Sequence, residues 1–251
     1  MFNLLGLTIP LYGICMMIGF AGTVFWACLR ARKVGITADD MILVAAVIIG
    51  GSVLGGKIMY IAISYTPSRL WDMICNGDFS FVGNGGLVFY GGLLGGLVGA
   101  ILGAKIAKCP LQKFDYCIVP LIPFGHAIGR IGCHFAGCCY GCVYDGLCSV
   151  SYVHVNHPCF PVQLLEAFAN ILLGAYLLRI GKKLQHCHWL LQYYLISYAI
   201  LRFLLEFLRG DAQRGFFGGL STSQWISVAL VAVAMITNKI FKRGRWKDAK
   251  L

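Results

Sequence analysis

The sequence predicts an all-α polytopic membrane protein with seven transmembrane helices, and three observations carry that prediction. Charged residues make up 12% of the 251 residues and hydrophobic residues 59%; mean hydropathy is +0.76. A soluble domain carries roughly a quarter charged residues, so this chain cannot coat a water-facing surface of its size. Apolar runs near the ~20 residues needed to span a bilayer recur at 9–29, 41–63, 86–107, 114–132, 161–180, 188–208 and 222–241. The charges between those runs alternate in density. In a soluble chain a net charge of +11 would suggest nucleic acid; here the basic residues sit at span ends, and no nucleic-acid partner is expected.

The first run, 9–29, has no Lys or Arg before it and closes on Arg30, Arg32 and Lys33, so it reads as a retained span rather than a signal peptide. The second, 41–63, leads to a stretch at about 64–85 whose one basic residue is Arg69. The glycine-rich third run is followed by Lys105, Lys108 and Lys113. The fourth opens into a stretch at about 133–160 that has no Lys or Arg and is rich in Cys, His and Gly. Arg179, Lys182 and Lys183 close the fifth run, and Arg209 and Arg214 follow the sixth. Lys239, Lys242, Arg243, Arg245, Lys247 and Lys250 close the seventh. Fifteen basic residues therefore fall on one side and three on the other. The positive-inside rule puts the N-terminus outside and the C-terminus in the cytoplasm. With no linker or repeat, 1–251 reads as a single transmembrane domain with outward-facing loops at about 64–85 and 133–160.

Three basic residues remain at membrane depth, Lys57, Arg130 and Arg202, together with both glutamates of the chain, Glu166 and Glu206. An ionisable group at the bilayer centre costs roughly 2.5–3.5 kcal/mol on insertion scales, so each needs a partner or a task. Tyr198, Arg202 and Glu206 stand at i, i+4 and i+8 on one helix face, and Gln163 and Glu166 share another. For the glutamates, a structural ion-pair network and a functional role both fit. Arg130 and Arg202 read as unmatched cations facing an outward cavity, a phosphate clamp in which guanidinium binds phosphate oxygens in a bidentate way.

Gly91-Gly92-Leu93-Leu94-Gly95-Gly96 is no dinucleotide loop, because it lies in an apolar span and its spacing misses G-x-G-x-x-G. Close helix packing explains it. Next to Tyr90, the same glycines would also let a lipid headgroup reach the backbone.

At these residues the chain resembles a known family. Leu11-Tyr12-Gly13, Tyr90-Gly91-Gly92-Leu93, Gly129-Arg130-Ile131-Gly132 running to Gly137 and Gly141, Gln163-Leu164-Leu165-Glu166, Tyr198 through Arg202 to Glu206-Phe207-Leu208-Arg209, and Ser223-Gln224-Trp225-Ile226-Ser227 follow the order and spacing of the prolipoprotein diacylglyceryl transferases. The resemblance implies a seven-span enzyme of the bacterial plasma membrane with an outward-facing site. It would transfer a diacylglyceryl group from phosphatidylglycerol to the lipobox cysteine thiol of a prolipoprotein, releasing glycerol phosphate. Tyr12, Arg130, Gly141, Tyr198, Arg202 and Glu206 keep the family's matches, and Gly91, Gly92, Gln163 and Glu166 join them as substrate-binding candidates. The family's motifs usually read H-G-G-L and G-R-I-G-N-F-x-N-G-E. Here Tyr90 replaces the histidine, and Cys133, Ala136 and Cys138 replace the two asparagines and the glutamate. Fold and lipid carry over more safely than the acceptor, and an altered-acceptor or non-catalytic relative that binds phospholipid or a thiol or metal ligand is the alternative.

The chemistry can be set out without the family. Alkylating a thiol needs the thiolate, and a free cysteine with a pKa near 8.5 is mostly protonated at neutral pH. A base must take the proton while cations stabilise the departing phosphate. Tyr90 is a poor base and a good hydrogen-bond donor. His134, four residues beyond Arg130, is the candidate base, ahead of His157 and of His126, which reads as a hydrogen-bonded buried histidine. The catalytic candidates are thus His134, Tyr90, Arg130 and Arg202. Among the 12 cysteines, Cys133, Cys138, Cys139, Cys142, Cys148 and Cys159 lie in or beside the outward loop, with Cys187 further on. Disulfides, a zinc site using His134, His154 or His157 with Cys138, Cys139 and Cys142, and plain packing residues or free thiols all fit. The spacing has no clean C-x2-C pair of pairs, so no metal and no cofactor is assigned.

Overall fold

The computed structural model describes residues 2–4, 7–9, 11–83, 86, 88–184, 190–210 and 215–243. Cys187, Arg214, Arg245, Lys247 and Lys250 lie outside the described residues. In chain order the elements are β1 (Phe2–Leu4), β2 (Leu7–Ile9), α1 (Leu11–Ala31), α2 (Ala38–Ser64), α3 (Pro67–Cys75), α4 (Ser80–Gly83), α5 (Phe89–Ile106), α6 (Leu111–Ile118), α7 (Ile122–Ala136), α8 (Val162–Leu184), α9 (Leu190–Leu205), β3 (Phe216–Phe217), β4 (Leu220–Ser221) and α10 (Thr222–Arg243). The strands make two small antiparallel hairpins, β1–β2 and β3–β4. Among the described residues the remaining regular structure is helical, and 137–161 forms a long irregular loop.

Among the described residues, five helical stretches are long and apolar enough to cross a membrane: Leu11–Val34, Ala38–Ser64, Leu111–Ala136, Val162–Lys182 and Leu190–Leu208. Two shorter apolar helices, Gly91–Ile106 and Thr222–Ala232, fall where the third and seventh spans are expected. The apolar faces are bare: Met17, Phe25, Leu54, Ile58, Ile63 and Val98 are each more than half exposed. Water would penalise such contiguous faces, whereas hydrocarbon covers them. The fourth expected span is longer than 114–132 and interrupted. Pro120 and Pro123 lack the N–H donors a continuous helix needs, and a 3-10 turn at Val119–Leu121 joins α6 to α7. The stretch at 64–85 also contains α3, which starts with Pro67 in its first turn, where a missing N–H does no harm.

The chain divides into two compact units, Cys28–Phe114 and Met1–Ala27 with Asp115–Leu251. In the first, α2 begins at Thr37, whose hydroxyl accepts from the Asp40 backbone N–H at 3.1 Å, with Asp39 and Asp40 in the first turn against the helix dipole. Helices α2 and α5 then meet backbone to backbone. A Cβ on Gly51 would lie 2.5 Å from the Gly95 carbonyl oxygen, and one on Gly99 would lie 2.6 Å from the Val47 carbonyl oxygen. Gly55 and Gly91 face each other's carbonyls in the same way. The glycines recur every fourth residue and line one stripe on each helix. Lys57, placed at membrane depth by the sequence, sets its ammonium 5.1 Å from the centre of the Tyr60 ring.

In the second unit, α1 crosses α7 at Gly19 and Gly125, where a Cβ on Gly19 would lie 2.9 Å from the Gly125 carbonyl oxygen. Helix α7 packs on α8, α8 on α9, and α9 on α10. Buried Asp115 accepts the Leu190 and Leu191 N–H groups at 2.7 and 3.0 Å and so caps the start of α9 from a distant part of the chain. Ser221 and Gln224 form a capping box on α10: the Gln224 N–H donates to the Ser221 hydroxyl, and the Gln224 side chain accepts from the Ser221 N–H.

Candidate active site

The polar centre of the second unit is built from helix faces that hydropathy alone marks as apolar. His126 and Arg130, one turn apart on α7, face Glu166 on α8 and Tyr198 on α9. Arg130 Nε stands 3.1 Å from Glu166 Oε1 and donates to His126 Nε2 at 3.3 Å. The Tyr198 hydroxyl donates to the same Glu166 oxygen at 3.4 Å, and the His126 and Tyr198 rings lie 5.1 Å apart. One turn further along α9, Arg202 Nη1 meets Glu206 Oε2 at 2.8 Å, a contact of charges rather than an aligned hydrogen bond. Arg202 Nη2 donates to the Ser223 hydroxyl on α10 at 3.1 Å. Both arginines act electrostatically on Tyr198 and His126, so the two ion pairs form one cluster.

The arginines are therefore not the unmatched cations that the sequence suggests. Each has a buried glutamate, 2% exposed at Glu166 and 3% at Glu206. The reason is packing: α8 brings Glu166 to Arg130, and helical spacing brings Glu206 to Arg202. Asn170, one turn beyond Glu166, is fully buried and donates to the Glu166 carbonyl. Its side-chain Oδ1 has no hydrogen-bond partner among the described residues.

A second chain of hydrogen bonds runs from α7 into the Cys-rich loop. Buried Gln163 donates through Nε2 to the Cys138 carbonyl at 2.8 Å, which leaves its Oε1 to accept from the Tyr152 hydroxyl at 3.2 Å. Burial pushes the Tyr152 phenol above its ordinary pKa, partly opposed by the Gln163 bond, so the phenol keeps its proton. That single proton goes to Gln163. The 2.9 Å contact between Tyr152 and His134 Nδ1 must then be donated by histidine. His134 is held as the Nδ1–H tautomer, with the Nε2 lone pair turned away from Tyr152 and able to accept a proton.

The loop itself is strapped to the end of α9. The Gly141 N–H donates to the Phe160 carbonyl at 3.0 Å, the Cys142 N–H to the Leu208 carbonyl at 2.9 Å, and the Gly210 N–H to the Tyr140 carbonyl at 3.2 Å. A Cβ on Gly141 would run into the Phe160 and Leu208 carbonyls, so this site candidate is fixed by a backbone crossing. Tyr12, in the first turn of α1, lies against Gly132 and within electrostatic reach of Arg130. His154 and His157 are exposed, and His157 Nδ1 sits 3.4 Å from Cys159 Sγ.

Of the sequence candidates, Tyr12, Arg130, Tyr198, Glu166, Arg202 and Glu206 are thus brought into one neighbourhood, with His134, Gln163 and Gly141 along the adjoining loop. Gly91 and Gly92 lie in the other unit, where both lie close to the α2 backbone. Tyr90 lies in the first turn of α5 there, and its side chain lies outside the described residues. His126, Asn170, Ser223 and Tyr152 were not among the assigned site residues. The signal for His126 was its i, i+4 spacing from Arg130.

Bare apolar helices around two arginine–glutamate pairs define a multi-pass membrane protein with a polar centre at membrane depth. Residues 1–239 match the family described as prolipoprotein diacylglyceryl transferase. The phosphatidylglycerol–prolipoprotein diacylglyceryl transferase of Clostridium tetani (strain Massachusetts / E88) is 31% identical over 247 residues, covering 96% of each chain. One from Clostridium perfringens (strain 13 / Type A) is 31% identical over 249 residues, covering 97% of this chain and 95% of its own. That of Dehalococcoides mccartyi (strain ATCC BAA-2266 / KCTC 15142 / 195) is 28% identical over 255 residues, with 99% and 95% covered. The chain belongs to the prolipoprotein diacylglyceryl transferase family and is a transferase.

Proposed function

We propose that this protein moves a diacylglyceryl group from phosphatidylglycerol to the lipobox cysteine thiol of a prolipoprotein. It does so as a single seven-span domain of the bacterial plasma membrane, N-terminus outside, with the site facing outward. The observation that carries the reading is the joined pair of ion pairs, Arg130–Glu166 and Arg202–Glu206, around Tyr198. Each guanidinium has five donors in a fixed fork, and one carboxylate does not exhaust them. Held in place by its glutamate, each arginine can turn remaining donors to the lipid phosphate and stabilise the charge that grows as glycerol phosphate departs. Tyr12 and Tyr198 add hydroxyls, Gly141 lets the backbone close in, and Gln163 fixes the loop. His134 takes the acceptor proton at Nε2, and Tyr90 donates a hydrogen bond.

The test is transfer from phosphatidylglycerol to a lipobox peptide in detergent or vesicles. Arg130→Ala and Arg202→Ala each abolish it, and Arg→Lys recovers little, because a point charge cannot reproduce a bidentate fork. Full activity in either alanine variant at normal expression would remove the clamp. An inactive wild type on this substrate pair would point instead to a different acceptor.

A further inference from the structure

Helix α7 ends in a way that returns the chain over its own last turn. Gly137 has φ +69°, its N–H donates to the His134 carbonyl, and the Cys138 N–H donates to the Cys133 carbonyl at 3.2 Å, a Schellman closure. Cys139 is also left-handed, at φ +58°. For a residue with a Cβ this conformation is costly. The result is that the Sγ atoms of Cys133, Cys138 and Cys139 all lie within 4.8 Å of one another. Buried Gln163 pins the turn by its bond to the Cys138 carbonyl. Cys138 is exposed and the other two are half-buried.

Three sulfurs bound to one ion at about 2.3 Å stand roughly 3.8–4.0 Å apart. The cluster reaches that geometry by side-chain rotation, with shifts on the order of 1 Å. An all-thiol donor set rejects calcium and magnesium, which take oxygen ligands, and suits a borderline-soft d10 ion. Three protein ligands with a fourth position open is the pattern of catalytic rather than structural zinc. Arg130 and the Tyr12 phenol lie within electrostatic reach of the thiols, so the excess negative charge of a tris-thiolate zinc has a cation beside it.

We propose that Cys133, Cys138 and Cys139 hold a zinc ion whose open fourth position receives the acceptor thiol as a thiolate. The role in transfer rests on the function proposed above; the metal site does not. Zinc binding favours the deprotonated form of a coordinating thiol, so the acceptor S–H gives up its proton on binding, and His134 receives it as proposed above. The bound sulfur then attacks the glyceryl carbon that carries the phosphate ester. A C–S bond forms, the C–O bond breaks, and its electron pair leaves on the oxygen of glycerol phosphate. The product thioether is a weak ligand and leaves the metal.

The experiment is a cobalt titration of the reduced, chelator-stripped protein in detergent. One equivalent of Co²⁺ should give thiolate-to-cobalt charge transfer and the intense visible bands of a tetrahedral site. Cys133→Ser, Cys138→Ser and Cys139→Ser should each lose that spectrum, while Cys148→Ser keeps it. To separate ligand loss from misfolding, Zn²⁺ should protect these three thiols, and not Cys148, from maleimide in the unmutated protein, read by mass spectrometry. No charge-transfer band, an unchanged spectrum in Cys133→Ser, or no protection by Zn²⁺ overturns the site. Stripping zinc should lower transfer at least tenfold and adding it back should restore transfer. If zinc binds but its removal leaves transfer untouched, the thiol-activating role falls. If zinc-loaded protein transfers nothing, the lipoprotein reading falls and the metal site stands.

Discussion

Replacing Glu166 with Gln takes away the carboxylate 3.1 Å from Arg130 Nε and leaves the guanidinium half-buried without its counter-charge. At that distance, with an effective dielectric constant of about 20, the gross Coulomb attraction is about 5 kcal/mol. Desolvation of both partners offsets much of it, but removing one partner typically costs about 3–5 kcal/mol, because the other charge stays buried. Glutamine still offers an acceptor at the same place, so the loss should fall near the lower end, about 3 kcal/mol. For a chain of this size that lowers Tm by roughly 6–12 °C. Pairing the change with Arg130→Gln removes the orphaned charge, and the double variant should melt above the Glu166→Gln single. Thermal unfolding of the purified protein in one detergent, followed by tryptophan fluorescence, reads all three. A drop under about 2 °C in Glu166→Gln, or a double variant whose losses simply add, would show that the pair does not hold α7 to α8.

Neighbouring glycines on α2 should behave oppositely: Gly51→Ala places a methyl against the Gly95 carbonyl and lowers yield and Tm, while Gly50→Ala, with nothing within 4 Å, is neutral or slightly stabilising. His134→Gln should reduce transfer on the order of 10²–10⁴-fold, with the loss shrinking as pH rises and solvent supplies thiolate, whereas Tyr90→Phe costs little. The reverse ranking would make Tyr90 the base. Reporter fusions after Lys33, Lys113 and Lys183 should read cytoplasmic and a fusion near Asp145 outside; a cytoplasmic signal at Asp145 would break the proposed topology.

Five long apolar helices and the shared face of Tyr198, Arg202 and Glu206 were legible in the sequence because hydropathy and helical spacing are local, whereas α3 and α4 fall in a stretch that reads as loop. The glycine stripe of α5 was read correctly as packing, though its partners, Gly51 and Gly55, needed the fold. Pairings between helices were not legible. Nothing near Arg130 in sequence announces Glu166, and nothing near Leu190 announces Asp115 as its cap. The thiol cluster escaped because spacing alone sets Cys133 five residues from Cys138. Its return depends on one left-handed glycine at the end of α7. The capping box of Ser221 and Gln224 went unread, because only Gln224 had been noted, for its place in the family's motif.

The two ion pairs differ in how they can be assembled during synthesis. Arg202 and Glu206 belong to one continuous helical segment, Leu190–Leu208, and lie one turn apart, so that segment leaves the translocon already carrying its own counter-ion. Arg130 and Glu166 are on separate segments, Leu111–Ala136 and Val162–Lys182. The first emerges with His126 beside its guanidinium but no carboxylate, at an insertion penalty of roughly 2.5–3.5 kcal/mol for an unpaired charge. It has to wait, at the channel or shielded by water, until some thirty further residues have been made and the glutamate arrives. Membrane insertion of the α6–α7 segment is therefore tied to that of α8, and the Cys-rich loop between them is the tether that sets how long the arginine waits.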